Sequence, residues 1–179
     1  MTINLKNFLN TKPKISKMGE FQELKPIDGL EISSYSADLY KNGRDDIALF
    51  YFKEGANYAA LYTTNSITSQ TIEWNKKSNK SFTKGLLVNT KNANTFTGNN
   101  GLESIDVLAK NLSRILTIRE SKSDEGVSET VKIKDLLFAS TGVIGEKFPT
   151  EKIVSSLQNL VDRSEERRVG KECRSRWSP

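Results

Sequence analysis

Residues Leu136–Asp162 read LLFASTGVIGEKFPTEKIVSSLQNLVD. Leu136 to Ala139 is a short apolar run of the kind that makes a buried strand. Ser140 to Pro149, STGVIGEKFP, is a small-residue turn, and Pro149 before Thr150 sets the start of a helix. Ile153, Val154, Leu157, Leu160 and Val161 then recur at helical spacing as one apolar stripe. Strand, turn and helix in direct succession form the repeating unit of α/β domains. The turn has a chemistry of its own. A Thr-Gly pair at such a place can aim one hydroxyl and one main-chain N–H at a single point, the geometry that stabilises an oxyanion during acyl transfer. Turns rich in Ser, Thr and Gly also serve only to reverse the chain, and these ten residues alone leave both readings open.

Upstream, Leu102, Ile105, Leu108, Leu112, Ile115 and Leu116 place one apolar stripe on a helix predicted over Leu102–Ile118. Before it, Thr90–Gly101 (TKNANTFTGNNG) is dense in Asn, Thr and Gly and reads as a loop, and Gly85–Asn89 (GLLVN) as a buried strand. Ile32–Tyr40, an Asn42-Gly43 turn and Ile47–Lys53 read as a hairpin, because Asn-Gly accepts the positive φ angles that tight hairpins need. Asn57–Thr64, after the Glu54-Gly55 break, is a third strand candidate of an antiparallel meander. Thr68–Lys77 fits either a strand or a short helix, and the polar run Glu120–Thr130 reads as an exposed, mobile loop. A meander followed by alternating strands and helices predicts an α/β fold, a layered sheet-and-helix sandwich.

The 179 residues suffice for one domain or for part of a larger enzyme, and no apolar stretch approaches the roughly 20 residues that cross a membrane. The N-terminus has no apolar block followed by a small-residue cleavage site, so a cytoplasmic protein is expected. There is no His, and Cys173 is the one cysteine. Ser-His-Asp, Cys-His and zinc-cluster chemistry therefore fail within the chain, neither cofactor nor metal is expected, and acyl transfer needs another activated nucleophile. An N-terminal Thr whose own amine acts as base fits that gap.

Composition breaks at residue 163. Residues 1–162 hold eighteen Lys and three Arg, whereas 163–179 (RSEERRVGKECRSRWSP) hold five Arg, one Lys, the cysteine and one of the two Trp. The tail resembles a translated sequencing adapter and is expected to be non-native and disordered. It carries +3 of the formal +5, so the body has only +2, with lysines interleaved with acids. That pattern is a solvated surface rather than the basic patch of a nucleic-acid binder, and Arg44, Asp45 and Asp46 beside the Asn-Gly turn likewise read as a solvated charge cluster, with Gly43 structural.

Four segments read together carry more than any one of them: Ser36–Leu49 (SADLYKNGRDDIAL), Ala60–Asn65 (ALYTTN), Val88–Gly98 (VNTKNANTFTG) and Ser140–Gly145 (STGVIG). In this order and spacing they resemble the N-terminal half of the ornithine acetyltransferase family, the bifunctional glutamate N-acetyltransferases of arginine biosynthesis, over about Pro26 to Val161. The resemblance implies a precursor that cleaves itself at an Ala-Thr bond beyond this chain and frees a nucleophilic Thr. It implies that this Thr takes acetyl from N-acetylornithine and passes it to glutamate, that many members also use acetyl-CoA as donor, and that the processed halves, α and β chains, assemble as a heterotetramer of two α and two β. Carried over, Thr141 contributes its hydroxyl and Gly142 its main-chain N–H to the oxyanion hole. The asparagine loop departs from the common pattern at Thr90-Lys91 and Phe96. Asn92 and Asn94 there either touch substrate or satisfy their own turn. The rivals are a related self-processing aminopeptidase, which the STGVIG and Asn-Ala-Asn segments disfavour, and a non-catalytic binding module. The chain, lacking the nucleophile, is expected to be inactive by itself.

Overall fold

Apolar residues spaced two apart on four runs pair into one sheet. A computed structural model describes residues 27–41, 43–78, 81–123 and 130–163. Within them strands β1 (Leu30–Tyr35), β2 (Ile47–Asn57), β3 (Phe82–Asn89) and β4 (Leu136–Ser140) lie in that spatial order, with helices α1 (Gln70–Lys77), α2 (Gly98–Ser123) and α3 (Thr150–Asp162). β1, β2 and β3 are antiparallel neighbours, and β4 joins β3 in parallel. A parallel pair needs a crossover that returns the chain to its starting end, and α2 makes it. The C-terminal ends of β3 and β4 are thereby brought side by side, with Asn89 opposite Ser140.

Register puts Leu49, Leu87 and Phe138 in one row facing the helices. With Ile105, Leu108, Leu112 and Leu116 of α2, and Ile153, Leu157, Leu160 and Val161 of α3, they form the core. The next row, Ile32, Phe50, Leu86 and Leu137, runs across all four strands on the opposite face. These four side chains are half-buried and stand outside the core cluster. A sheet apolar on both faces is the pattern of one covered on both sides, and the described helices of the core cover one.

The outer edge of β4 is closed by α1. Ser69 caps that helix, its Oγ accepting the Thr71 N–H at 3.3 Å. Asn75 Nδ2 donates to the Phe138 carbonyl at 2.8 Å while its Oδ1 accepts the Phe138 N–H at 3.0 Å, so one amide replaces a neighbouring strand. The Trp74 indole packs edge-on against Phe138 and its Nε1 donates to the Leu136 carbonyl at 3.4 Å. Thr68–Lys77, ambiguous from its pattern, thus resolves chiefly as helix.

Several expectations are revised. Asn57–Thr64 is not a strand: β2 ends at Asn57, residues 58–65 have no regular structure, and the third strand of the meander is β3. Gly55, expected to break the strand, instead allows a bulge at φ +76°, where a Cβ would stand 2.1 Å from the Phe82 ring. The β1–β2 connection is not a tight hairpin either. β1 stops at Tyr35, and Asp46, buried at 2% exposure, accepts the N–H groups of Ala37 and Leu39, each at 2.7 Å. A carboxylate taking main-chain donors ends the ladder early and is no part of a solvated cluster; Asp45 accepts the Ser34 hydroxyl, and Arg44 lies over the Tyr40 ring. Gly43 has the positive φ expected of it, and Asn42 lies outside the described residues. α2 starts at Gly98 and runs to Ser123, so Glu120, expected in a loop, is helical and accepts a hydrogen bond from the Tyr51 hydroxyl. Residues 124–129 and 164–179 lie outside the described residues, and among those described no helix is long and apolar enough to cross a membrane.

Candidate active site

The two chains leaving β3 and β4 stay zipped beyond the sheet. Thr141 N–H donates to the Asn89 carbonyl at 3.1 Å, Val143 N–H to Lys91 O at 2.8 Å, Ala93 N–H to Val143 O at 2.9 Å and Gly145 N–H to Thr95 O at 2.9 Å. Gly142 makes this closeness attainable. Its φ is +134°, and a Cβ there would stand 2.2 Å from Lys91 C, 2.3 Å from Lys91 O and 2.6 Å from Asn92 N. All three are backbone atoms, so no side chain can move aside to admit a larger residue.

This arrangement leaves two donors open. Thr141 and Gly142 are exposed, and neither the Thr141 hydroxyl nor the Gly142 N–H has a hydrogen-bond partner among the described residues. Val143 and Ile144, which follow them, and Phe96 of the asparagine loop are exposed apolar side chains. Lys91 directs its ammonium towards the Tyr40 ring, 5.5 Å from its centre. Beyond the turn an open cleft of about 620 Å³ is lined by residues including Phe96, Thr97, Gly101, Gly145 and Lys147.

Asn92 and Asn94 point inward. Asn92, 2% exposed, donates from Nδ2 to the carbonyls of Glu146 (3.1 Å) and Lys147 (3.3 Å) and accepts the Asn94 N–H at 2.8 Å. Asn94, fully buried, donates to Gly101 O at 3.1 Å and accepts the Thr97 hydroxyl at 2.8 Å. Its own carbonyl accepts the Gln70 N–H that opens α1. The amides that were candidates for touching substrate are engaged on protein groups: they hold the asparagine loop to Glu146 and Lys147, just after the STGVIG turn, and to the start of α2. Four non-glycine residues of the described chain have positive φ, and Lys91, Asn94 and Phe96 of this loop are three of them. The sequence offers Asn89 as the end of a strand and as part of the Val88–Gly98 segment, without a role of its own. Its signal would have been a polar side chain closing an apolar run beside the Asn-rich loop.

Two perturbed ionisable groups, Tyr51 and Glu31, lie at the other end of the sheet. Burial pushes the Tyr51 hydroxyl well above its ordinary range, and the hydrogen bond to Glu120 pushes it further. Burial works to raise Glu31, but hydrogen bonds from Lys53 and Arg119 prevail and hold its carboxyl below its ordinary value. What the turn itself offers is a pair of neutral donors, suited to binding an oxygen that acquires negative charge.

A family model described as the ArgJ family matches residues 31–174. The match therefore continues into the segment that its composition marks as foreign, and Arg163, the first residue of that segment, donates to the Ser34 carbonyl at 3.2 Å. A curated "arginine biosynthesis bifunctional protein ArgJ" from Bartonella quintana is 28% identical over 156 residues, covering 86% of this chain and 35% of that protein. The protein of the same name from Pseudomonas fluorescens is 31% identical over 145 residues, covering 81% and 33%. The chain thus spans about a third of the length of the curated relatives it matches. Among solved structures, ornithine acetyltransferase from Mycobacterium tuberculosis, complexed with ornithine, aligns with a TM-score of 0.70 at 20% identity, covering 81% of this chain and 72% of that one. ArgJ from Bacillus halodurans aligns with a TM-score of 0.63 at 20% identity, covering 73% and 62%. Both likenesses are of fold: an α/β sheet backed by helices.

Proposed function

The chain belongs to the ArgJ family, and from that premise we propose that it carries the oxyanion-stabilising part of an acetyl-transfer site of arginine biosynthesis. Thr141, through its hydroxyl, and Gly142, through its main-chain N–H, bind the negative oxygen of the tetrahedral intermediate. The nucleophile is a Thr freed by self-cleavage in the remainder of a longer precursor. Its hydroxyl oxygen attacks the acetyl carbon of N-acetylornithine, the carbonyl oxygen takes up the charge, and collapse expels ornithine, whose amine takes a proton, leaving acetyl-Thr. The amine of glutamate then attacks the ester and restores the Thr hydroxyl, with acetyl-CoA as a second donor in place of N-acetylornithine. Asn92 and Asn94 hold the loop under the donors instead of binding substrate.

The observation that carries this reading is the adjacent pair of exposed donors, without a partner among the described residues, on a turn whose Gly142 is seated against Lys91 and Asn92. Two further facts favour a precursor. The apolar row Ile32, Phe50, Leu86 and Leu137 calls for a covering layer. The solved chains, of which this one covers 62% and 72%, are also much shorter than the curated relatives, of which it covers about a third. On this view residues 1–162 belong to an α chain that assembles with a β chain as two copies of each in the cytoplasm, and 163–179 are a non-native tail.

The reading is tested by assaying acetyl transfer from N-acetylornithine to glutamate with this chain and with the full precursor. The chain alone is expected to be inactive, and Thr141→Ala in the precursor is expected to lower kcat by about 100- to 1000-fold. Undiminished kcat in that variant, or turnover by the 179-residue chain, refutes it.

A further inference from the structure

Asn89 closes β3 with its side chain directed into the junction between the asparagine loop and the STGVIG turn. Oδ1 accepts the Ser140 hydroxyl at 2.7 Å; Nδ2 donates to the carbonyls of Thr90 (3.1 Å) and Asn92 (2.9 Å). Its main-chain carbonyl accepts the Thr141 N–H at 3.1 Å. The residue is 5% exposed. One buried residue thus holds the strand residue before the donor pair, the first donor residue's own N–H, and the loop whose backbone Gly142 rests against. We infer that Asn89 is a positioning residue for the reaction: it sets where the Thr141 hydroxyl and Gly142 N–H stand, without touching the substrate. The inference rests on the reading of those two groups as oxyanion donors.

The physical case is preorganisation. Donors stabilise a developing charge only if they are held in place before it forms, and their supports do that holding. Ser140, the last residue of β4, adjoins the donor pair directly. The side chain must also be an amide. Ser140 needs an acceptor, and the carbonyls of Thr90 and Asn92 need a donor, so Asp, of the same shape, would set a carboxylate oxygen against two carbonyl oxygens and lose both bonds.

The test uses the full precursor with Asn89→Asp, Ser140→Ala, Thr141→Ala and the double variant Asn89→Asp/Thr141→Ala, measuring kcat, KM for N-acetylornithine and the melting temperature of each. Asn89→Asp and Ser140→Ala are expected to lower kcat by about 10- to 100-fold, the scale of a misplacement near 1 Å, with KM unchanged within about twofold. Because Asn89 acts through the donor pair, of which Thr141→Ala removes one member, the losses in the double variant are expected to combine to less than the product of the two single losses. If Thr141→Ala lowers kcat while Asn89→Asp does not, or if the two losses multiply, the assignment of Asn89 fails and the donor pair stands. If Thr141→Ala leaves kcat intact, the donor reading fails and takes this inference with it. Should Asn89→Asp not fold, Ser140→Ala decides: a folded Ser140→Ala protein with kcat within twofold of the parent overturns the inference.

Discussion

Replacing Gly142 by Ala adds a single carbon where the structure has room for none. The new Cβ would meet Lys91 C at 2.2 Å, Lys91 O at 2.3 Å and Asn92 N at 2.6 Å. Two costs combine. A side chain at φ +134° is strained by about 1–3 kcal/mol, and forcing apart two backbone segments adds about 1–3 kcal/mol of overpacking. Relief by movement would break the bonds that Val143 makes to Lys91 and Ala93. A loss near 3–4 kcal/mol is expected, a large part of the roughly 5–15 kcal/mol that holds a domain folded, and it corresponds to a fall in Tm of about 6–16 °C at this chain length. Gly145→Ala is the control. Gly145 also has positive φ, +82°, but nothing lies within 4 Å of its absent Cβ, so only the backbone term of about 1–2 kcal/mol applies. Melting followed by far-ultraviolet circular dichroism measures both. If Gly142→Ala melts within about 2 °C of Gly145→Ala, the seating of the turn on Lys91 and Asn92 is not what demands glycine, and the account of the site's rigidity is wrong.

Two further outcomes follow from buried charge. Asp46→Ala is expected to destabilise the chain by about 2–4 kcal/mol in urea, since the Ala37 and Leu39 N–H groups each lose a charged acceptor at 2.7 Å; a loss under 0.5 kcal/mol would mean that the 36–46 connection does not depend on it. Glu31 has a carboxyl held below its ordinary value of 4.5 in the folded state. Its stabilising contribution is therefore complete above pH 4.5 and disappears as pH falls through the folded value. The stability gap between the parent and Glu31→Gln should be constant near neutrality and close on acidification, and a gap that instead widens below pH 4.5 would refute the assigned direction.

Much of the architecture was legible because it is written in periodicity. The α2 and α3 stripes at Ile105–Leu116 and Ile153–Val161 bury as their spacing demands, since a helix that must cover a sheet has to keep one face apolar. The Leu136–Ala139 run is a strand for a similar reason. Where residues 57–64 and the end of β1 were misread, side-chain contacts decided: the Phe82 ring packs over Gly55 at the bulge of β2, and the Asp46 carboxylate takes the N–H groups of Ala37 and Leu39. Local patterns carry no record of such meetings.

The site divides in the same way. Sequence alone determined that Thr141 and Gly142 follow a strand and precede a helix and that no histidine is available, and it left the Thr-Gly pair open between oxyanion chemistry and a plain turn; each depends on residue type and order along the chain. Only the tertiary structure decided that Asn92 and Asn94 face inward, that Asp46 is buried, and that Asn89 joins the loop to the turn. Those facts arise when the α2 crossover brings the ends of β3 and β4 together, 51 positions apart in the chain between Asn89 and Ser140. Hydrogen-bond partners are chosen by distance in space, and that distance exists only after the core has closed.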